Sequence, residues 1–417
     1  MAKDPREQAE AADELTLRLP AQAARRLGLC AGSRLDVAVE RGKVTLRPDI
    51  HSLAKVYLEP SSRCNLACRT CIRQTWSEPQ GDMSPEVFRK LLKDLRRFPS
   101  LESIMLGGFG EPAVHPGLLS MVADLKALGL RVEMVSNGTR LDEAMGRGLL
   151  RAGLDRLWIS LDGTEAETFE QVRKGARFKD VVRNVKRLRE PGRGGAGGIA
   201  IGIAFVVTRK NLGDLKAVGA MARKIGADRV SVSNVIPYSL EMELQMACNF
   251  AVTLGTLAAT SDKVDIDLPR LDAVESTKEV LWQLLAGGEG LSLMGTQVGA
   301  RVDECRFIRE RCACVRWDGK VAPCMGLMHA HSTFFQRSRR EVQAYSPGDV
   351  TRQSLWEVWN GADYAAFREK VAAFDFSPCH VCGGCHLSEQ NLEDCQGNSF
   401  PATCGGCLWA QGIIQCP

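Results

Sequence analysis

Between residues 52 and 240 short apolar, β-branched runs alternate with amphipathic runs of helical spacing, which restricts the chain to a parallel sheet with crossover helices. The strand-like runs are KVYLEP, SIMLGG, RVEMVSN, RLWISLDG, IAIGIAFVVT and RVSVSNVIP. Helical runs such as PEVFRKLLKDLRRF, PGLLSMVADLKALG and LGDLKAVGAMARKIG separate them. Ser84-Pro85-Glu86 reads as an N-cap and first turn, and Gly129 follows a helix end. GRGGAGG at 192–198 reads as a surface loop before the fifth strand. Such crossovers are right-handed. A closed eight-stranded barrel takes about 250 residues; this shorter window gives six strands. The expected fold is α/β, a partial (β/α)6 TIM-type barrel with functional residues at the C-terminal ends of its strands.

The flanking segments differ in kind. Residues 15–47 read as a small β module: LTLRLP, a short helix AQAARRLGL, then SRLDVAVE and KVTLRP split by a turn at Arg41-Gly42. Residues 241–304 form a connector, with helical LQMACNFAVTLGTLAA and KEVLWQLLAG around a short strand, VDIDLP. Residues 305–417 are cysteine-rich, with one evident helical stretch, SLWEVWNGADYAAFREKVAAF. The expected division is thus 1–50, 51–240, 241–304 and 305–417.

The net charge of +4 is scattered rather than clustered, so it makes no case for nucleic acid. The N-terminal MAKDPREQAEAADE lacks an apolar targeting core, and no run of about 18 apolar residues exists. A cytoplasmic protein without a membrane span is expected. In that reducing compartment the 16 cysteines point to metal or redox chemistry rather than disulfides. Cys64, Cys68 and Cys71 form one group, eleven lie from Cys305 to Cys416, and Cys30 and Cys248 stand alone and are expected to be small buried hydrophobes rather than ligands.

CNLACRTC directly follows the first strand, which puts its three thiolates on a loop at the mouth of the sheet. Three thiolates are one short of a closed site. They suit a zinc ion with an open position, or a 4Fe–4S cluster with one iron left for a substrate.

The C-x3-C-x2-C spacing behind a first strand resembles the radical S-adenosylmethionine (SAM) superfamily. In that family SAM chelates the open iron, and reductive cleavage yields a 5′-deoxyadenosyl radical. GGFGEP resembles the family's glycine-glycine-glutamate element, which implies that Gly107, Gly108 and Glu111 hold the SAM amino group. Ser136 and Asn137 end the third strand, and Ser160 and Asp162 end the fourth, where the family contacts the SAM ribose and carboxylate. Arg173 resembles the arginine that meets that carboxylate, and Asn234 and Pro237 end the sixth strand near the expected adenine. Thr70 departs from the family, which usually has an aromatic residue before the third cysteine.

Cys305, Cys312 and Cys324, with WDGKVAPC before the last, then Cys379, Cys382, Cys385, Cys395, Cys404, Cys407 and Cys416, resemble the SPASM extension. That resemblance implies one or two auxiliary 4Fe–4S clusters. Two need eight thiolates, so some of the eleven are spare, Cys314 first among them. Two closed zinc sites are the rival reading. His329, His331, His380 and His386 read as hydrogen-bonded or solvated rather than ligating.

The N-terminal module resembles an AbrB-type swapped hairpin, which implies dimerisation or partner docking, with DNA binding weakly supported. The whole chain looks like the radical SAM maturases of tungsten-cofactor oxidoreductases. The implied substrate is a protein or metal cofactor of an aldehyde ferredoxin oxidoreductase-type enzyme. The implied electron donor is a ferredoxin or flavodoxin. Two other readings stand beside it: a peptide maturase that forms thioether or carbon–carbon crosslinks, and a non-catalytic, metal-stapled DNA-binding or scaffold protein. No residue in the sequence identifies itself as the group that exchanges a hydrogen atom with substrate.

Overall fold

The computed structural model describes residues 35–40, 43–188, 198–247, 265–269, 271–272, 274–286, 290–293, 296–297, 305–335, 337–374, 376, 387, 393–398, 403–410 and 412–417, with the single positions 20, 24 and 29. All of LTLRLP but Pro20, and most of AQAARRLGL, lie outside these residues. So do GRGGAGG up to residue 197 and most of LQMACNFAVTLGTLAA.

The strands are β1 (Leu35–Glu40), β2 (Lys43–Pro48), β3 (Lys55–Leu58), β4 (Ser103–Leu106), β5 (Arg131–Ser136), β6 (Arg156–Ser160), β7 (Ala200–Val207) and β8 (Ala227–Asn234). They continue as β9 (Asp265–Leu268), β10 (Gly290–Leu293), β11 (Thr296–Gln297), β12 (Cys312–Val315), β13 (Lys320–Ala322), β14 (His331–Phe335), β15 (Ser338–Val342) and β16 (Gly348–Asp349).

The six strands expected from the sequence, β3 to β8, are neighbours in one parallel sheet in chain order. Both faces are covered, so β7 is almost wholly apolar instead of alternating. The helix Pro85–Leu95 shows how a crossover seats: Ser84 Oγ accepts from Val87 N, Pro85 opens the first turn, and Phe88, Leu91 and Leu95 enter the core. Gly129, with φ of 78°, carries the chain out of the helix Leu118–Ala127, as expected.

The sheet is wider than six units. β9 joins β8 in parallel and β10 joins β9, while β12 pairs in parallel with β3 at the other edge. The cysteine-rich stretch therefore shares the barrel's sheet, through β12 and then antiparallel β13 and β16. The strand expected at VDIDLP is β9, whereas β10, β12, β13 and β16 left no sign in the sequence, because runs of two to four residues are too short for a period to emerge. The expected single helix after Ser354 is two, Leu355–Asn360 and Ala362–Ala373, because Gly361 is extended, with ψ of 144°. The first is clasped to the barrel where Leu355 N donates to Asp94 Oδ2 at 2.9 Å and Trp359 Nε1 to the His51 carbonyl at 2.6 Å.

β1 and β2 pair antiparallel with Glu40 opposite Lys43, and β14 and β15 form a second separate hairpin. Among the described residues no helix is long and apolar enough to cross a membrane.

Candidate active site

The loop that follows β3 is held across the C-terminal mouth of the sheet by its own backbone. Ala67 N donates to the Lys174 carbonyl and Arg69 N to that of Val172, which ties the loop to the residues flanking Arg173. Glu111 N donates to the Arg63 carbonyl at 2.8 Å, so GGFGEP runs against the same loop. A Cβ on Gly110 would lie 2.0 Å from the Ser61 carbonyl oxygen, and one on Gly108 would lie 2.6 Å from Glu59 Oε1. Only glycine permits that approach.

The Glu111 carboxylate is buried and joins two strand ends. It accepts from Ser136 Oγ at 2.8 Å, Asn137 N at 2.7 Å and Ala113 N at 3.0 Å. Burial raises its pKa despite these bonds. Asn137 Nδ2 donates to Asn65 Oδ1 at 3.0 Å and reaches Cys64 Sγ at 3.8 Å. Asp162 differs from the expectation. It accepts from Val206 N at 2.7 Å and pairs with Arg173 Nη2 at 2.8 Å, and it does not line the cavity. It aims Arg173, whose buried Nε has no hydrogen-bond partner among the described residues.

These strand ends surround a cavity of about 260 Å³. Cys64, Cys68, Cys71, Gly107, Gly108, Glu111, Ser136, Asn137, Ser160, Arg173 and Asn234 all line it. Thr70 is on the wall as well; Ile236 lines it in place of Pro237. Sequence reasoning missed part of the wall. Ser231 and Ser233 from β8 line it, and so does the segment Ile414–Pro417, 180 residues beyond in the chain. Gln415 seats that segment: its backbone N donates to Ser233 Oγ at 3.0 Å, and its Nε2 donates to the Asp267 carbonyl at 2.8 Å.

The donor set fits an iron–sulfur cluster with a charged ligand. Three thiols meet at one wall, and an arginine with an unused donor faces the same space. Burial pushes the Cys68 thiol up to about 11, and it raises Cys71 too, so metal must displace protons as it binds. Among the described residues no three His, Cys, Asp or Glu side chains converge as a single ion requires.

A second cavity, of about 80 Å³, is lined by Cys305, Cys324, Cys404 and Cys407. Burial pushes the Cys305 thiol up to about 12. Gly319, with φ of 91°, turns the chain between β12 and β13 and so delivers Cys324 to this cavity. Cys312 is not brought there. It points with Cys314, two residues on, into the apolar cluster around Tyr57 and Met105. Cys416 lines the first cavity and Cys395 is exposed, while Cys379, Cys382 and Cys385 lie outside the described residues, as do His380 and His386. Trp409 lines both cavities.

One cluster joins the two regions. His329 is buried, with Nε2 at 3.1 Å from Glu59 Oε2 and Nδ1 at 3.0 Å from Glu78 Oε2. Arg316 pairs with Glu78 at 2.9 Å, and Trp76 stacks on the imidazole with centroids 4.1 Å apart. His331 Nδ1 bonds the His329 carbonyl at 2.8 Å. The hydrogen-bonded role read for both histidines agrees with these contacts.

The model of the radical SAM superfamily matches residues 58–214, and that of the SPASM iron–sulfur cluster-binding domain matches 305–386. The chain is 29% identical over 370 residues to the tungsten-containing aldehyde ferredoxin oxidoreductase cofactor-modifying protein of Pyrococcus furiosus, covering 87% of this chain and 96% of that one. It is 24% identical over 366 residues to the PqqA peptide cyclase of Gluconobacter oxydans, covering 82% and 88%. Streptococcus suis SuiB bound to S-adenosylmethionine shares the fold, with a TM-score of 0.55 at 14% identity over 81% of this chain and 74% of that one. These matches set aside the non-catalytic reading. The chain is a radical SAM enzyme with a SPASM domain, and its cofactors are a SAM-binding 4Fe–4S cluster, S-adenosylmethionine and auxiliary iron–sulfur clusters.

Proposed function

We propose that this enzyme matures a tungsten-containing oxidoreductase in the cytoplasm, by modifying its cofactor or its protein. The observation that carries this reading is the likeness to the Pyrococcus furiosus cofactor-modifying protein, which extends over nearly the whole length of both chains. When bound, the cluster and SAM supply the one-electron reductive cleavage of a sulfonium carbon–sulfur bond.

The chain's own residues arrange that chemistry. Cys64, Cys68 and Cys71 hold three irons. Arg173, fixed by Asp162, takes the carboxylate of the ligand through a bidentate-capable guanidinium. Glu111 fixes the ends of β4 and β5 and presents an acceptor to the ammonium. Gly107 and Gly108 keep the wall thin enough for backbone contact. Ser136, Asn137, Ser160 and Asn234 contribute polar contacts around the same cavity. Cys305, Cys324, Cys404 and Cys407 ligate one auxiliary cluster, and Cys379, Cys382, Cys385 and Cys395 are the candidates for another. A ferredoxin or flavodoxin supplies the electron, and the N-terminal hairpin serves as a dimerising or docking element.

The test has two stages. Anaerobically reconstituted protein, reduced with dithionite and given SAM, should release 5′-deoxyadenosine. Deleting the gene should then leave a tungsten-containing aldehyde oxidoreductase of the same cell inactive although its polypeptide accumulates. Full activity of that oxidoreductase in the deletion would refute the target. The likeness to a peptide cyclase favours the second reading, peptide crosslinking. A precursor peptide that loses hydrogen mass on incubation with the enzyme would establish it instead.

A further inference from the structure

The hairpin β14–β15 stands apart from the main sheet, yet it forms part of the wall of the four-cysteine cavity. Thr333 and Arg340 are directly opposite each other in its register, and both line that cavity. Val342 lines it as well, as the two-residue period of a strand requires. Thr333 is 5% exposed and Arg340 is 7% exposed. Arg340 Nη1 donates to the Gly406 carbonyl at 3.4 Å, which places the guanidinium beside the Cys404–Cys407 turn.

We propose that Arg340, assisted by Thr333, raises the reduction potential of the auxiliary cluster held by Cys305, Cys324, Cys404 and Cys407. This rests on the assignment of those four thiols to an auxiliary cluster. A cubane with four thiolates is anionic, and one-electron reduction adds a further negative charge. The potential of such a cluster follows its net charge, the hydrogen bonds to its sulfurs and its exposure. Arginine stays charged in proteins, and a buried cation acts more strongly than one in water. Arg340 therefore stabilises the reduced form more than the oxidised form. Thr333 adds a neutral hydroxyl donor to the same wall. Arg340 is a positioning residue for charge and need not touch substrate. Its effect is to make the auxiliary cluster a better electron acceptor.

The experiment uses the full chain with Cys64, Cys68 and Cys71 replaced by alanine, so that only auxiliary iron remains. The signal to follow in a redox titration monitored by electron paramagnetic resonance is the one that Cys305→Ala and Cys404→Ala remove. Arg340→Gln should weaken reduction about tenfold, a fall of about 59 mV for one electron. Arg340→Lys should stay near the parent value, and Thr333→Val should fall by a smaller step. An unchanged midpoint in both Arg340→Gln and Thr333→Val, with iron retained, overturns the proposal, as does an equal fall in Arg340→Lys and Arg340→Gln. If Arg340→Gln sheds its iron, Thr333→Val decides alone. If Cys305→Ala and Cys404→Ala remove no iron, the cluster assignment itself has failed.

Discussion

Glu59 and His329 are 270 residues apart in the chain and 3.1 Å apart in the fold, and both side chains are shut off from solvent. Glu59 follows the last residue of β3 and also accepts from Phe109 N at 3.2 Å. His329 comes from the cysteine-rich region. One buried pair therefore joins the loop of the cysteine triad, the glycine-rich strand end and the auxiliary region.

Removing one partner of such a pair leaves a buried charge uncompensated, so Glu59→Gln or His329→Leu should cost about 3–5 kcal/mol of stability. Thermal unfolding of the cluster-loaded protein under anaerobic conditions measures the loss. A cost below about 1 kcal/mol, the scale of an exposed ion pair, would show that the pair does not brace the two regions.

The same cluster sets a pH window. Burial lowers the His329 pKa, but its bonds to Glu59 and Glu78 overcome that and leave it raised above 6.5. Burial opposes ionisation of Glu78, while His329, Ala330 N and Arg316 bring it down from 4.5 to about 2. The histidine's contribution is complete below its unfolded pKa of 6.5 and is lost as pH rises through the raised folded value. That of Glu78 is complete above 4.5 and is lost as pH falls toward about 2. Stability from this cluster should peak between 4.5 and 6.5 and fall on the alkaline side. The midpoint of thermal unfolding, followed from pH 6 to 9, should lose that fall in His329→Gln.

Asp162 is placed to orient Arg173 rather than to touch the ligand. Asp162→Asn keeps an acceptor for Val206 N and removes the ion pair. It should raise the KM for SAM about tenfold, equivalent to about 1.4 kcal/mol, with kcat nearly unchanged. Arg173→Met should be more severe. Steady-state release of 5′-deoxyadenosine checks both, and an unchanged KM in Arg173→Met would remove the arginine from the binding site.

Iron content should separate the cysteines. Alanine at Cys64, Cys68 or Cys71, or at Cys305, Cys324, Cys404 or Cys407, should each lower iron by about four atoms per chain. Cys314→Ala and Cys312→Ala should leave it unchanged, because both thiols sit in the apolar cluster around Tyr57. Iron and acid-labile sulfide analysis decides the matter.

Gly110→Ala should be worse than Gly108→Ala. The first drives a Cβ against the backbone carbonyl of Ser61, which cannot turn away, while the second meets the side chain of Glu59. A cost of about 1–3 kcal/mol is expected at Gly110, together with poorer cluster loading. Thermal unfolding and iron content measured on both variants would expose the reverse order.

What the sequence determined alone is local. The order of β3 to β8, the N-cap at Ser84, the helix exit at Gly129 and the thiol triad behind the first strand depend on contiguous patterns, and they could be read before any fold was known. The lining of the cavity by Glu111, Ser136, Ser160 and Arg173 followed from their places at strand ends and from the family resemblance. Tertiary structure decided whatever depends on distant segments meeting. It divided the cysteines, bringing Cys305 and Cys324 to Cys404 and Cys407 while turning Cys312 into an apolar cluster. It moved Asp162 from the cavity wall to a place behind Arg173. It also seated residues 414–417 on the cavity wall and joined Glu59 to His329. Spacing constrains which thiols can be near in the chain, but packing of buried strands and exclusion of water decide which of them face the same space.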